Sequence, residues 1–235
     1  MAEATESLLA GVPLLIVRPP GSSGALPTVL WVHGYGASKQ THLAELHRLA
    51  EHGLLAIGID AVAHGRRRPA GFVHRVSSSP RENAAVFRQI VGETVAGLPR
   101  LVDGLLELGL SEPARLAIAG VSMGGCVVYG AVAADRRFSA AVALLGSPEW
   151  TRPEDDEIWF DAFHPTALLS VTAARDTIVP PAAARELHGL LAGRYRAQPE
   201  RLCYRELAGA PHLMSAEDWA TATGYAAAWL ARFLP

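Results

Sequence analysis

Short runs of consecutive apolar residues alternate along the chain with longer segments whose apolar residues recur every three or four positions. The runs are Leu14–Val17, Thr28–Val32, Leu54–Ile59, Arg115–Ala119, Ala140–Leu145, Ala167–Thr172 and Leu202–Glu206. Runs so short, with little polar alternation, suit strands buried on both faces of a parallel sheet. The segments between them predict helices over Ser38–His52, Arg81–Leu108, Met123–Ala134, Pro181–Leu191 and Ser215–Phe233. Gly53 and Gly109 follow the first two as C-caps, and Pro99 predicts a break or kink in the second. In the last helix Trp219, Ala226, Trp229, Leu230 and Phe233 fall on one face. The first segment, Ser7–Arg18, has Gly11 and Pro13 near its middle and reads as an antiparallel hairpin at the sheet edge. The whole predicts an α/β chain: a mostly parallel, eight-stranded sheet with helices on both faces. No repeat, low-complexity tract or linker divides it, so one domain over residues 1–235 is the simplest expectation.

Two connections exceed what this architecture needs. Residues 61–80 are rich in Gly, Pro, Ser and Arg; residues 147–165 carry Trp150, Trp159, Phe160 and Phe163. Both leave the carboxyl ends of predicted strands, where sites form in open parallel sheets, and long loops there tend to be functional. The second is too short for a lid domain and reads as a small cap or flap.

Composition narrows the function classes. The chain is 50% hydrophobic over 235 residues, enough for one sizeable core. A net charge of −2 gives no global reason to bind nucleic acid or an anionic membrane. Cys126 and Cys203 lie inside predicted elements and read as buried thiols rather than a disulfide. The N-terminus lacks a basic region before its first apolar run, and no run is long enough to span a bilayer. The expectation is a soluble, cytoplasmic protein.

The chemistry centres on Gly120-Val-Ser-Met-Gly124, preceded by the run Leu116–Ala119 and followed by a predicted helix. Strand, tight turn with serine, then helix is the context in which G-x-S-x-G presents a nucleophile. The residues flanking the serine must be small because strand and helix pass close together. A serine hydroxyl needs a base to take its proton and a third group to orient that base. Asp176 follows the run Ala167–Thr172, and His212 follows Leu202–Glu206. Ser122, Asp176 and His212 thus stand in the order Ser, acid, His, each at a strand end, where they can converge. The run Val29–Val32 leads into the turn His33-Gly-Tyr-Gly36. Backbone N–H groups there, with the one after the nucleophile, suit an oxyanion hole; Tyr35 and Met123 are the candidates.

On these pieces the chain resembles the α/β-hydrolase superfamily, especially the small serine esterases near dienelactone hydrolases and prolyl-oligopeptidase-type catalytic domains. The matching segments are His33–Gly36, Asp60-Ala-Val-Ala-His-Gly-Arg66, Gly120–Gly125, Arg175–Pro180 and Gly209-Ala-Pro-His212. They span most of the chain in the family's order. The resemblance implies Ser122 as nucleophile, Asp176 as acid, His212 as base, and Tyr35 with Met123 as oxyanion donors, with no metal or other cofactor. Dienelactone hydrolases proper use a cysteine nucleophile; serine here shifts the expectation to ordinary esters of small to medium size. The partner is then a small-molecule ester; the oligomeric state stays open.

Other readings compete at several positions. Glu149, after Ala140–Leu145, is the main rival to Asp176 as the acid. Among nine histidines, His42, His47, His52 and His188 read as helix-surface or partly buried residues. His33 reads as a structural group before the oxyanion turn, and His64 as fixing its loop near the site. His74 and His164 are undetermined. Cys126 reads as core. Arg66, Arg67, Arg68, Arg75 and Arg81 form a basic cluster that either is solvated or meets an anionic substrate group. His64, Arg66, Trp150, Trp159 and Phe160 are the candidate substrate-binding residues. A peptidase or amidase with the same machinery, and a non-catalytic binding protein of the same fold, are the alternatives.

Overall fold

The computed structural model describes residues 3–70, 79–153 and 157–234. Eight strands form one open sheet: β1 (Ala4–Leu9), β2 (Val12–Val17), β3 (Leu26–Val32), β4 (Leu55–Ile59), β5 (Ser111–Val121), β6 (Phe138–Leu144), β7 (Ala167–Ala173) and β8 (Leu202–Leu207). Their order is β1-β2-β4-β3-β5-β6-β7-β8. β1 and β2 form the antiparallel edge hairpin, joined through Ala10 and Gly11, both at positive φ, and β2 runs antiparallel to β4. All other neighbours are parallel. Among the described residues the α-helices are α1 (Leu43–Glu51), α2 (Pro80–Glu107), α3 (Met123–Ala134), α4 (Glu157–Asp161), α5 (Ala182–Leu191) and α6 (Ala216–Phe233).

The central strands are apolar throughout because alternate residues enter different cores. Leu30, Val32, Ile57 and Ile118 pack with α2, α3 and α5 on one face. Val29, Trp31, Ala117 and Ala119 pack with α1 and α6 on the other. In α2, Ile90, Val91, Leu98, Leu101, Val102 and Leu105 make the buried stripe. Each such side chain contributes about 1.5–3 kcal/mol on burial.

Local signals explain most boundaries. The Ser79 side chain accepts from Glu82 N–H at the start of α2, with Pro80 in the first turn. At its end Gly109, at φ 62°, allows Gly109 N–H and Leu110 N–H to reach Leu106 O and Leu105 O. Gly53 closes α1 in the same way, through Ala50 O and Leu49 O. Four expectations are modified. The segment from Ser38 begins as a 3-10 turn, Lys39–His42, because buried Asp60 accepts from both the Lys39 N–H and Nζ. Helix α2 runs unbroken through Pro99, with the apolar residues on both sides of it anchored in one core. Strand β5 starts earlier than expected, at Ser111; Pro113 hid that part, and the ladder with β3 shifts register there. The aromatic connection contains α4, with Trp159 and Phe163 four residues apart and both buried in the core.

Candidate active site

The Ser122 turn is forced by close packing. A Cβ on Gly120 would lie 2.5 Å from the Gly124 backbone, one on Gly124 2.1 Å from Val32 O, and one on Gly125 2.6 Å from Leu144 O. Only glycines let α3 start this close to β3, β5 and β6. Ser122 itself takes φ 55°, ψ −114°, a strained conformation for a residue with a side chain. Its N–H donates to Leu144 O at 2.8 Å and its carbonyl accepts from Cys126 N–H, which fixes the turn at both ends.

From that turn the Ser122 hydroxyl faces His212 Nε2 at 2.9 Å. His212 Nδ1 lies 2.6 Å from Asp176 Oδ2. A carboxylate only accepts, so Nδ1 carries the ring proton and Nε2 is left to accept from Ser122. The other Asp176 oxygen accepts from the N–H groups of Ile178 and Val179 at 2.9 and 2.7 Å. The carboxylate is buried and fixed on both sides. Glu149 is turned elsewhere: its carboxylate accepts from the Ser147 hydroxyl at 3.0 Å.

The turn after β3 lies against Ser122, with Gly34 approaching within 3.7 Å of the Ser122 Cβ when its own Cβ is built. Two buried histidines brace this turn. His33 donates through Nδ1 to Gly34 O and accepts Ala61 N–H at Nε2. His64 donates through Nδ1 to Val62 O and accepts Gly36 N–H at Nε2, 2.9 Å away. The Tyr35 ring meets His64 edge-on at 5.2 Å. Behind them Asp60, fully buried, accepts from Lys39 and from Arg66 N–H, which ties the 60–66 loop to the start of the first helical segment. Ala63 and Leu145, beside the site, also take positive φ.

Two cavities open onto Ser122. One, about 510 Å³, is lined by His212, Leu213, Met214, Trp219, Leu145 and His42, among others. The second, about 470 Å³, is lined by Ala84, Val86, Phe87, Trp150, Val179 and Asn83, among others. Tyr35, Ser122 and Ile178 belong to both. Neither is lined by an Asp, Glu, Lys or Arg among the described residues.

The candidates read from sequence are placed as follows. Ser122, Asp176 and His212 form one hydrogen-bonded chain; Tyr35 lies in the neighbouring turn, and Met123 directly follows the serine as the first residue of α3. Trp150 lines the second cavity. His64 lines neither and supports the turn from beneath. Arg66 pairs with Glu6 at 3.0 Å on the surface. Trp159 is buried against Phe163, and the Phe160 ring meets the guanidiniums of Arg152 and Arg194; neither lines a cavity at Ser122. Arg67 donates to Asp60 O, and Arg68 borders a separate cavity near Ser38. His74 and Arg75 lie outside the described residues. His188 is buried, not on the helix surface; it bonds Ser170 at 2.8 Å, and burial pushes it down to about 4. Cys126 is buried with its thiol pushed up to about 12, so it is no nucleophile at neutral pH.

Sequence reasoning missed the lining residues of α2, Ala84, Val86 and Phe87, because their helix reaches the site only through tertiary packing. It also missed Ile178, Leu213 and Met214, whose adjacency to Asp176 and His212 was a usable signal. Trp219 was read only as core, yet it lines a cavity while its indole N–H donates to Glu45.

A profile of the Prolyl oligopeptidase family matches residues 86–167, which contain Ser122 but neither Asp176 nor His212. The Bacillus subtilis (strain 168) protein named "Putative esterase YitV" is 27% identical over 234 residues, covering 86% of this chain and 89% of its own. The structure of TT1662 from Thermus thermophilus matches with a TM-score of 0.74 at 24% identity, covering 98% of both chains. A structure titled "Putative Dienelactone Hydrolase", from Klebsiella pneumoniae, matches with a TM-score of 0.70 at 20% identity over 99% of this chain and 100% of that one. The fold is that of the α/β-hydrolases, and the chain resembles the dienelactone-hydrolase and prolyl-oligopeptidase-type members.

Proposed function

For a chain of this fold, a hydrolase of the serine-hydrolase type, we propose that it cleaves uncharged carboxylic esters of small to medium size through an acyl-enzyme on Ser122. The observation that carries this reading is the unbroken chain Asp176–His212–Ser122 ending where two apolar cavities meet. His212 Nε2 takes the Ser122 proton as Oγ attacks the carbonyl carbon. The oxyanion develops against the N–H groups of Tyr35 and Met123, a pair of donors of the kind worth about 3–4 kcal/mol each. The His212 imidazolium, held by Asp176, then gives its proton to the departing alkoxide. Water, deprotonated by His212, attacks the acyl carbon; Ser122 Oγ leaves and recovers the proton. The products are one acid and one alcohol.

A peptidase or amidase reading has the prolyl-oligopeptidase profile in its favour. Against it, neither cavity offers a carboxylate for a peptide's ammonium group among the described residues. A panel of chromogenic esters with a matched anilide decides between them. Ester turnover should exceed anilide turnover by orders of magnitude; comparable rates would favour the peptidase. A non-catalytic binding protein would turn over neither.

A further inference from the structure

Resting on the esterase reading, we propose that the two cavities divide the substrate: the one lined by His212 takes the alcohol, and the one walled by α2 and Trp150 takes an apolar acyl group. The argument begins at the proton. An ester bound for attack has its carbonyl carbon at Ser122 Oγ and its two substituents diverging from there. The departing oxygen must lie within hydrogen-bond reach of His212 Nε2, because that nitrogen supplies its proton. His212 borders only the first cavity. The alcohol therefore extends past His212 toward Leu213, Met214 and Trp219. The acyl chain takes the other way out, between Ala84, Val86, Phe87 and Trp150.

The walls of the second cavity say what that acyl group is. Phe87 meets the Trp150 ring edge-on at 4.5 Å and the Tyr35 ring at 5.8 Å. Three aromatic rings in contact make an apolar wall suited to another ring or a medium alkyl chain. Val86, Ile178 and Tyr35 stay 42, 65 and 39% exposed at the mouth. Apolar surface left in water around a cavity marks where an apolar group docks. Of the described arginines of the 61–80 loop none lines it: Arg66 is paired with Glu6 and Arg67 with the Asp60 carbonyl. No Lys or Arg is among its described lining residues; the Arg88 guanidinium lies over the Trp150 ring and donates to Glu149 O.

Deacylation separates the two halves experimentally, since after the alcohol has left only the acyl group remains. The test compares Ala84→Trp, which fills the acyl cavity from a half-exposed position, with Leu213→Trp at an 81% exposed one. One ester series varies the acyl group on p-nitrophenol from acetyl to hexanoyl and phenylacetyl. The other varies the alcohol on acetate. Ala84→Trp should cut kcat/KM for hexanoyl and phenylacetyl esters about tenfold or more relative to acetyl. It should also slow release of the hexanoyl group in single-turnover traces. Leu213→Trp should reorder the alcohols and leave the order of acyl groups as in the wild type. Trp150→Ala serves as a second acyl-side variant and should also change the acyl order. Swapped responses, or acyl and alcohol orders that ignore all three substitutions, overturn the division while leaving ester hydrolysis intact. Wild-type protein that hydrolyses no ester overturns the esterase reading itself.

Discussion

Asp176 shows how much one side chain can fix. One oxygen holds His212 in a single tautomer, and the other is anchored by two backbone N–H groups. Asp176→Asn keeps an acceptor for Ile178 and Val179 but presents an NH₂ group to Nδ1, which stabilises the wrong tautomer. Ester turnover should fall about 10⁴-fold with little change in thermal stability, read by steady-state kinetics beside an unfolding curve. Retention of most activity would move the acid's role to another residue. His64 acts at one remove, by accepting Gly36 N–H beneath the Tyr35 turn. His64→Leu should lower kcat by up to about a hundredfold with KM changing much less, and His64→Gln, which restores an acceptor, should recover part of the loss. Equal losses in both variants would mean that the ring merely fills space. At this scale what was legible is the convergence of Ser122, Asp176 and His212 in one hydrogen-bonded chain, from their positions at strand ends. The sequence was illegible where side-chain direction decides, as for Trp159, which turns into the core, and Phe160, whose ring meets Arg152 and Arg194 instead of the cavity.

Among the elements, Gly124 of the Ser122 turn and Gly97 of α2 make opposite predictions. A methyl group on Gly124 would collide with Val32 O at 2.1 Å, whereas one on Gly97 meets nothing within 4 Å. Gly124→Ala should destabilise by about 3 kcal/mol or more and remove activity with the fold. Gly97→Ala, in a helix interior, should stabilise by about 0.5–1 kcal/mol. Denaturant unfolding of both variants checks the pair; a tolerated Gly124→Ala would contradict the close packing of β3 against α3. Strand and helix identities followed from hydrophobic period, and Gly53 and Gly109 announced two helix ends. Pro99 does not break α2, because a proline's local cost is set against a stripe buried on both sides of it. Pro113 hid the start of β5 for the related reason that ladder pairing, not propensity, set the boundary.

Across the molecule, the sheet brings loops from distant parts of the sequence to one rim, and the same packing buries groups that the reaction does not use. His188 is one, set between Ser170 and the Tyr204 ring with its ionisation pushed down to about 4 from the usual 6.5. Between these values the unfolded chain binds a proton there and the folded one does not, so stability rises with pH across that window. The contribution is complete above about pH 6.5 and is lost as pH falls toward 4. His188→Gln should flatten that part of a melting-temperature profile; an unchanged slope would place the acid sensitivity elsewhere. Among the described residues no helix is long and apolar enough to cross a membrane. Neither cavity is lined by an Asp, Glu, Lys or Arg among the described residues, and this could not be read from a sequence in which Arg66–Arg68 stand beside His64. The central claim is that Ser122, activated by His212, carries the reaction. Its most direct test is fluorophosphonate labelling with the modified residue located by peptide mass spectrometry, followed in parallel with ester hydrolysis. One label per chain on Ser122, hydrolysis lost in proportion, and neither seen with Ser122→Ala is the result predicted. Labelling at another residue, or hydrolysis that survives full labelling, would contradict it.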